Sequence, residues 1–151
     1  MAIRNIVQVG DEVLRKKSVK VTEFDEKLHM LLDDMADTLA VAQGVGLAAP
    51  QVGVLKRVFI IYLDDTLYEF INPRFVKQKG TQVGDEGCLS VKGKFGKVQR
   101  FMNVDLLAED RYGETFRFKA SGFFARAIQH EYDHLEGVLY IDKATDMQVE
   151  E

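Results

Sequence analysis

The most regular pattern of hydrophobic and polar positions lies between Glu23 and Ala42. Apolar side chains recur there every three to four residues, and Thr22, Glu23 and Asp25 supply the polar and acidic residues that commonly begin a helix. The apolar positions are Phe24, Leu28, Leu31, Leu32, Met35, Leu39 and Val41. This segment is predicted to form a long N-terminal amphipathic helix.

Shorter apolar patterns in the middle of the chain predict β-strands. Arg57 to Leu63 contains a continuous apolar run that suits burial on both faces, and Tyr68 to Ile71 and Phe75 to Thr81 are predicted as two further strands. Val104 to Glu109 and Glu114 to Ala120 flank a glycine-containing turn, which is typical of a hairpin. Short strands joined by tight connections imply mainly antiparallel pairing.

The last strong pattern predicts a second helix, from about Gly122 to Glu136, with Ser121 as its cap and Gly137 at its end. Four of its side chains fall on one stripe of the helix. They are Phe123, Ala127, His130 and His134. An apolar patch therefore adjoins two imidazoles. The polar tail from Asp142 to Glu151 is predicted to be loose.

These elements predict one α+β domain over residues 1–151, with short antiparallel strands packed around the C-terminal helix. The chain is long enough to bury a core without a disulfide. Hydrophobic residues make up 46% and charged residues 29%, and the net charge of -4 argues against direct DNA binding. Apolar runs are too short for a membrane span, and no signal-peptide core follows Met1, so a cytoplasmic location is expected.

The chemistry of the second helix is indicated by the pattern H-E-x-x-H, formed by His130, Glu131 and His134. On a helix this spacing places two imidazoles one turn apart, where both can bind one metal ion, with a carboxylate in reach of a water on that ion. A catalytic site of this type needs a third protein ligand and an open position. The remaining histidine, His29, lies in a charged neighbourhood and is not expected to be that ligand.

The third ligand has three conceivable sources. Tyr140 stands where one protease class carries a third histidine, which excludes that class. A downstream carboxylate would have to be Glu150 or Glu151, at the polar end of the chain. Cys88 lies in the turn-like stretch Asp85 to Ser90, where its thiol can reach a metal, although a single cysteine is also often just a small buried residue. A Cys/His/His site is the best completion.

A run of small residues, Gly44 to Gly53, follows the first predicted helix. Glycines permit close approach of backbone N–H groups to a ligand, but a plain helix-to-strand connection carries equal weight. Gln51 is the amide side chain in this run. It can donate a hydrogen bond to a carbonyl oxygen, although a purely structural amide is just as ordinary.

Three segments resemble the signature motifs of the peptide deformylase family, in the family's order and at similar separations. They are Gly44 to Gln51 (GVGLAAPQ), Glu86 to Ser90 (EGCLS) and Gln129 to Leu135 (QHEYDHL). The resemblance implies an enzyme that removes the formyl group from the N-terminal formylmethionine of new polypeptides. It also implies one divalent metal ion per chain, usually Fe2+, with Zn2+, Ni2+ or Co2+ as replacements.

Mapped onto this sequence, the resemblance implies that the metal ligands are Cys88, His130 and His134. A water in the fourth position would attack the formyl carbon, and Glu131 would take its proton and pass it to the departing amine.

The resemblance further implies two donors to the oxyanion, the Gln51 side chain and the backbone N–H of Leu89. The methionine pocket would be lined by Val45, Phe123, Ala127 and His130. Backbone groups of Gly46 and Gly87 would pair with the extended peptide. Glu86 and Arg100 match a glutamate and an arginine that pair in the family.

Some residues depart from the family pattern. Lys92 stands where proline is frequent, and residues 92–97 are basic; they are expected to form a solvated loop, with transient contact to the ribosome or to an acidic nascent chain as the alternative. This sequence is not expected to form the long basic C-terminal helix of some relatives, which puts ribosome docking by that route in doubt. Two other functions stay open, a metallopeptidase with a distant carboxylate ligand and a non-catalytic homologue that binds metal or peptide.

Overall fold

The computed structural model describes residues 2–150. The predicted amphipathic helix is present as α1, Glu26–Ala42. It begins later than expected because Asp25 is the N-cap, whose carboxylate accepts a hydrogen bond from Leu28 N at 3.1 Å. It ends at Gln43, whose φ of 58° is left-handed. Val41, assigned to the apolar face, is 65% exposed and lines a cavity instead of the core.

Eight strands and a second α-helix are found in residues 2–150. The strands are β1 (Gly46–Ala48), β2 (Val58–Leu63), β3 (Thr66–Lys79), β4 (Gln82–Cys88), β5 (Val91–Arg100), β6 (Asn103–Glu109), β7 (Thr115–Ser121) and β8 (Thr145–Val149). The second helix is α2 (Gly122–Leu135), and short 3-10 segments occupy Glu12–Arg15, Ala49–Val52 and Tyr140–Asp142.

Five strands form one antiparallel sheet in the order β1-β2-β3-β6-β7, and the other three form a second sheet in the order β4-β5-β8. Two apolar clusters lie on the first sheet. One contains the buried face of α1, including Leu32 and Met35, and the other contains Ile128 and Leu135 of α2. The predicted α+β fold, with antiparallel strands around the C-terminal helix, is confirmed.

The two strands predicted at Tyr68–Ile71 and Phe75–Thr81 are one continuous strand, β3. Its pairing with β6 shifts register between Ile71 and Arg74. The shift lies at Asn72 and Pro73, where Asn72 has a φ of 50° and proline has no N–H to donate. The sequence signal that suggested a strand end therefore marks a bulge. The β6–β7 hairpin is confirmed within about one residue at each end.

Two predictions about polar segments were wrong. Residues 92–97 are not a loop but the first half of β5, and the tail is not loose because Thr145–Val149 pairs with β5 as β8. Gly96 on β5 makes room for a side chain of β8, because a Cβ on Gly96 would lie 2.5 Å from Met147 Sδ. Asp85 to Cys88 also belongs to a strand, so only Leu89 and Ser90 form the turn.

α2 packs against the first sheet, and its C-terminal half bonds to the second sheet through His130 with Glu86 and through Asp133 with Arg100. It ends before Gly137, which has a φ of 76° and lies so close to the Arg15 backbone that a Cβ would be 2.5 Å from the Arg15 carbonyl oxygen. Ser121 occupies the N-cap position without a side-chain capping bond. Within residues 2–150, neither helix has the length and apolar character that crossing a membrane requires.

Candidate active site

All of the predicted site residues except His134 line one cavity of about 1020 Å³. β1 and the following 3-10 segment form one wall, the end of β4 with the turn after it forms another, and α2 forms the floor. The cavity is lined by all five residues predicted to bind substrate: Val45, Gly46, Gly87, Phe123 and Ala127. Phe123 is 56% exposed, so an apolar ring is available at the cavity surface.

Cys88, His130 and His134 form a group that could hold a metal ion. One ligand atom from each residue lies within 4.8 Å of the other two, and Cys88 Sγ is 3.4 Å from His134 Nε2. Both histidines are buried and Cys88 is half-buried. One thiolate and two imidazole nitrogens suit a borderline divalent ion such as zinc, iron or cobalt, so the residues fit such a metal.

The downstream carboxylate that the metallopeptidase alternative would need is not a member of this ligand group in residues 2–150. Glu150 lines the cavity but is not part of the ligand group. Glu151, the other candidate, lies outside the described residues.

Glu86 fixes the orientation of His130. Its Oε1 lies 2.8 Å from His130 Nδ1, so the opposite nitrogen, Nε2, is left for the ligand group. A carboxylate behind a metal-binding imidazole selects the tautomer and the ring angle. His134 has no such partner, because its Nδ1 is buried without a hydrogen bond among the described residues.

Two arginines hold Glu86 in turn. Arg100 donates to both of its oxygens, at 2.9 Å from Nε and 2.8 Å from Nη2, which confirms the pair expected from the family pattern. Arg126 donates to Oε2 at 2.7 Å, and Arg100 also donates to Asp133 at 2.6 Å. Burial alone would raise the pKa of Glu86, but the hydrogen bonds from Arg100 and His130 outweigh it and hold that pKa well below its usual range.

Arg126 was missed by sequence reasoning. It is buried, and it also donates to the carbonyl oxygens of Val98 at 3.0 Å and Gly84 at 3.4 Å. It precedes His130 by one helical turn and therefore lies on the same face of the helix. Its position near the site could have been predicted from this spacing.

Glu131 is buried beside the ligand group. Its Oε2 lies 4.0 Å from His130 Nε2, and its Oε1 has no hydrogen-bond partner among the described residues. Burial raises the pKa of Glu131 to about 7. Gly46 makes room for this side chain, because a Cβ there would be 2.6 Å from Glu131 Oε2.

The two histidines differ in their affinity for a proton. Burial would lower the pKa of His130, but the neighbouring Glu131 charge and hydrogen bonds to Cys88 and Glu86 raise it well above its ordinary value. Burial, the His130 charge and the Arg100 charge all lower the pKa of His134. A proton and a metal ion compete for the same nitrogen lone pair, so a metal ion held by His130 would displace a proton from it.

Gln51 points its amide nitrogen at the end of β4. Its Oε1 accepts a hydrogen bond from Ala48 N at 2.9 Å, which leaves Nε2 to face Ser90 Oγ at 3.1 Å and Cys88 Sγ at 3.5 Å. The donor nitrogen therefore lies next to a potential metal ligand. Ser90 was not predicted as a site residue, although it stands in the EGCLS segment.

Comparisons with known proteins find peptide deformylases that are similar to this chain over almost its full length. A family model described as polypeptide deformylase matches residues 3–150. A peptide deformylase of Caldicellulosiruptor bescii is 49% identical over 151 residues, covering 100% of this chain and 91% of the relative. One of Acetivibrio thermocellus is 52% identical over 143 residues, covering 95% of this chain and 84% of the relative.

Solved structures of peptide deformylases have the same fold as this chain. The crystal structure of peptide deformylase from Thermotoga maritima superposes with a TM-score of 0.94 at 38% identity, covering 96% of this chain and 99% of that one. The peptide deformylase from Synechococcus elongatus in complex with actinonin gives a TM-score of 0.92 at 37% identity, covering 95% of this chain and 79% of that one. The chain therefore belongs to the peptide deformylase family.

Proposed function

We propose that this chain hydrolyses the formamide bond of N-formylmethionyl polypeptides and releases formate, using one divalent metal ion held by Cys88, His130 and His134. The observation that carries the proposal is the convergence of three ligand atoms within 4.8 Å of one another, beside a buried Glu131, in a cavity of about 1020 Å³. Membership of the deformylase family supports the choice of substrate.

By family resemblance, the proposed metal in the cell is Fe2+, and the same ligand set would also accept Zn2+, Ni2+ or Co2+. Such an ion, when bound, supplies Lewis acidity that lowers the pKa of water and polarises the formyl oxygen. The chain contributes the orientation of the ligands: Glu86 holds His130 through Nδ1, and Arg100 and Arg126 both donate hydrogen bonds that keep Glu86 in place.

Glu131 is the proposed general base and acid. Its carboxylate lies on the ligand side of α2, where it can take a proton from the attacking water and deliver it to the departing methionine nitrogen. Glu131 is buried against Gly46 and near His130, which limits the access of bulk water to this proton transfer.

Gln51 and Leu89 are the proposed donors to the oxyanion that forms on the formyl oxygen. The Gln51 amide is oriented by Ala48 N, which donates to its Oε1, and by Ser90 Oγ, which accepts from its Nε2. The Leu89 N–H follows Cys88 in the turn after β4. Preorganised donors of this kind cost little reorganisation during the reaction, and the loss of one costs about 2.7–4 kcal/mol.

The substrate is held by both walls of the cavity. Val45, Phe123 and Ala127 provide the apolar surface for a methionine side chain, next to His130. Backbone groups of Gly46 on β1 and Gly87 on β4, which both line the cavity, are the proposed hydrogen-bond partners of an extended peptide.

Several broader assignments follow from this proposal. Residues 1–151 are proposed to act as one catalytic domain, since the family model covers residues 3–150. The substrate is a nascent chain, so contact with the ribosome is transient, and the proposed location is the cytoplasm, where such chains are made.

Formate release tests the proposal. Protein purified without oxygen and reconstituted with Fe2+ is incubated with formyl-Met-Ala-Ser, and acetyl-Met-Ala-Ser serves as the matched control substrate. Formate should appear from the first peptide with Met-Ala-Ser as the other product. Absence of formate with Fe2+, Ni2+ and Co2+ alike would overturn the proposal, and cleavage between Met and Ala would favour a peptidase.

A further inference from the structure

Residues 6–9 connect the two loops that carry the proposed oxyanion donors. Val7 N donates to the carbonyl oxygen of Gln51 at 2.7 Å. The Gln8 side chain donates from Nε2 to the carbonyl oxygen of Leu89 at 3.0 Å, and Val9 N donates to that of Ser90 at 2.8 Å. Three successive residues therefore hold the backbones of both donor loops.

The two donor loops are far apart in the sequence. Gln51 and Ser90 are separated by 39 positions in sequence, and the Gln51 side chain provides a direct bond between them. Hydrogen bonds from a third, non-adjacent segment fix the distance between the loops. Such fixation matters because an oxyanion hole works only when its donors are in place before the charge develops.

Gln8 has the most direct effect on Leu89. The Leu89 turn begins at Cys88, the last residue of β4, and its next carbonyl group, that of Ser90, is held by Val9. With the Leu89 carbonyl also held by Gln8, both peptide planes on the C-terminal side of the Leu89 N–H are fixed. Gln8 additionally bonds the Ile6 carbonyl at 3.3 Å, which keeps its own amide oriented.

We propose that Gln8 is a positioning residue for deformylation: it holds the Leu89–Ser90 peptide and thereby restricts the adjoining Cys88–Leu89 peptide, whose N–H is the proposed donor to the oxyanion. The inference rests on the proposed function, since it assumes that Leu89 N–H is an oxyanion donor. Gln8 itself does not touch the metal ligands or line the cavity. Replacement of Gln8 should therefore lower kcat and leave KM almost unchanged.

The test compares Gln8→Met and Gln8→Glu with Gln99→Met. Methionine keeps the length of the side chain but removes the donor, and glutamate keeps the shape but places an acceptor against the Leu89 carbonyl. Gln99 is an exposed glutamine on β5 outside the cavity, so its replacement controls for loss of a surface amide. The measurements are kcat and KM for formyl-Met-Ala-Ser, the inhibition constant of the product Met-Ala-Ser, metal content and Tm, all on the metal-loaded protein.

Because a misplacement of 1 Å near the reaction can cost about 10²-fold, and Gln8 acts through Leu89, we expect kcat to fall about tenfold in Gln8→Met. KM, product inhibition and metal content should stay within about twofold, and Tm should match that of Gln99→Met. An unchanged kcat in both Gln8 variants would overturn the inference. A fall in kcat accompanied by loss of metal or of Tm would overturn it too, because it would show a structural role. A wild-type protein that releases no formate would instead refute the proposed function.

Discussion

Replacement of Gly46 by alanine tests how tightly the fold holds the proposed general base. Gly46 lies on β1 against the Glu131 side chain, and a Cβ at this position would be 2.6 Å from Oε2 and 2.9 Å from both Cδ and Cγ. Since an ordinary contact begins at 3.4 Å, the carboxylate would have to move by about 0.8 Å. Cγ is close to the helix backbone and can move less than the carboxylate oxygens can.

The size of the effect follows from this displacement. An extra methyl group in a packed interior costs about 1–3 kcal/mol of unfolding free energy. In a domain of this size each kcal/mol lowers Tm by about 2–4 °C. A shift of nearly 1 Å in a group that transfers a proton costs up to about 10²-fold in rate. Gly46→Ala should therefore lower kcat by about 10- to 100-fold while the metal stays bound, because no ligand atom is displaced.

The assay is formate release from formyl-Met-Ala-Ser, with metal content and Tm measured on the same preparation. Gly96→Ala is the matched control, since its new Cβ would meet Met147 Sδ at 2.5 Å outside the cavity. Met147 is 40% exposed and can move aside, so this variant should keep its kcat. A Gly46→Ala protein with wild-type kcat would refute the reasoning that Gly46 sets the position of Glu131.

Three further predictions concern the ligands and their support. Glu131→Ala should keep one metal ion and lower kcat by about 10²- to 10⁴-fold, as kinetics and metal analysis will show; loss of the metal would mean that Glu131 has a different role. Cys88→Ser should lose tight metal binding and formate release together, whereas retention of both would refute the Cys/His/His site. Arg126→Met removes a charged hydrogen bond to Glu86 and should lower the unfolding free energy by about 1.5–3 kcal/mol in urea titrations, while a change below about 0.5 kcal/mol would show that Arg100 alone suffices.

Local patterns were enough to predict the parts of the site that lie on one element. His130, Glu131 and His134 belong to one helical stretch, so their spacing alone indicated a shared metal. Cys88 required a second step, because the residues alone left a downstream carboxylate as an alternative. The structure brings Cys88 to the histidines through β4, a strand that the turn-like composition of the segment did not reveal.

The missed features depend on contacts between distant segments. β8 is held by backbone pairing with β5, and backbone pairing leaves little trace in the polarity of its side chains. Gln8 bonds a carbonyl oxygen 81 positions away, and nothing in its local sequence distinguishes it from a surface glutamine. Arg126 was recoverable from helical spacing, but its partner Glu86 lies 40 positions earlier.

The central claim is that one metal ion at Cys88, His130 and His134 supports deformylation. The most direct test is a titration of metal-free protein with Co2+ under anaerobic conditions, followed by the rate of formate release from formyl-Met-Ala-Ser. The rate should be negligible at first, rise in proportion to added Co2+ and level off at one equivalent per chain. Formate release by the metal-free protein, or a rate that does not depend on added metal, would contradict the claim.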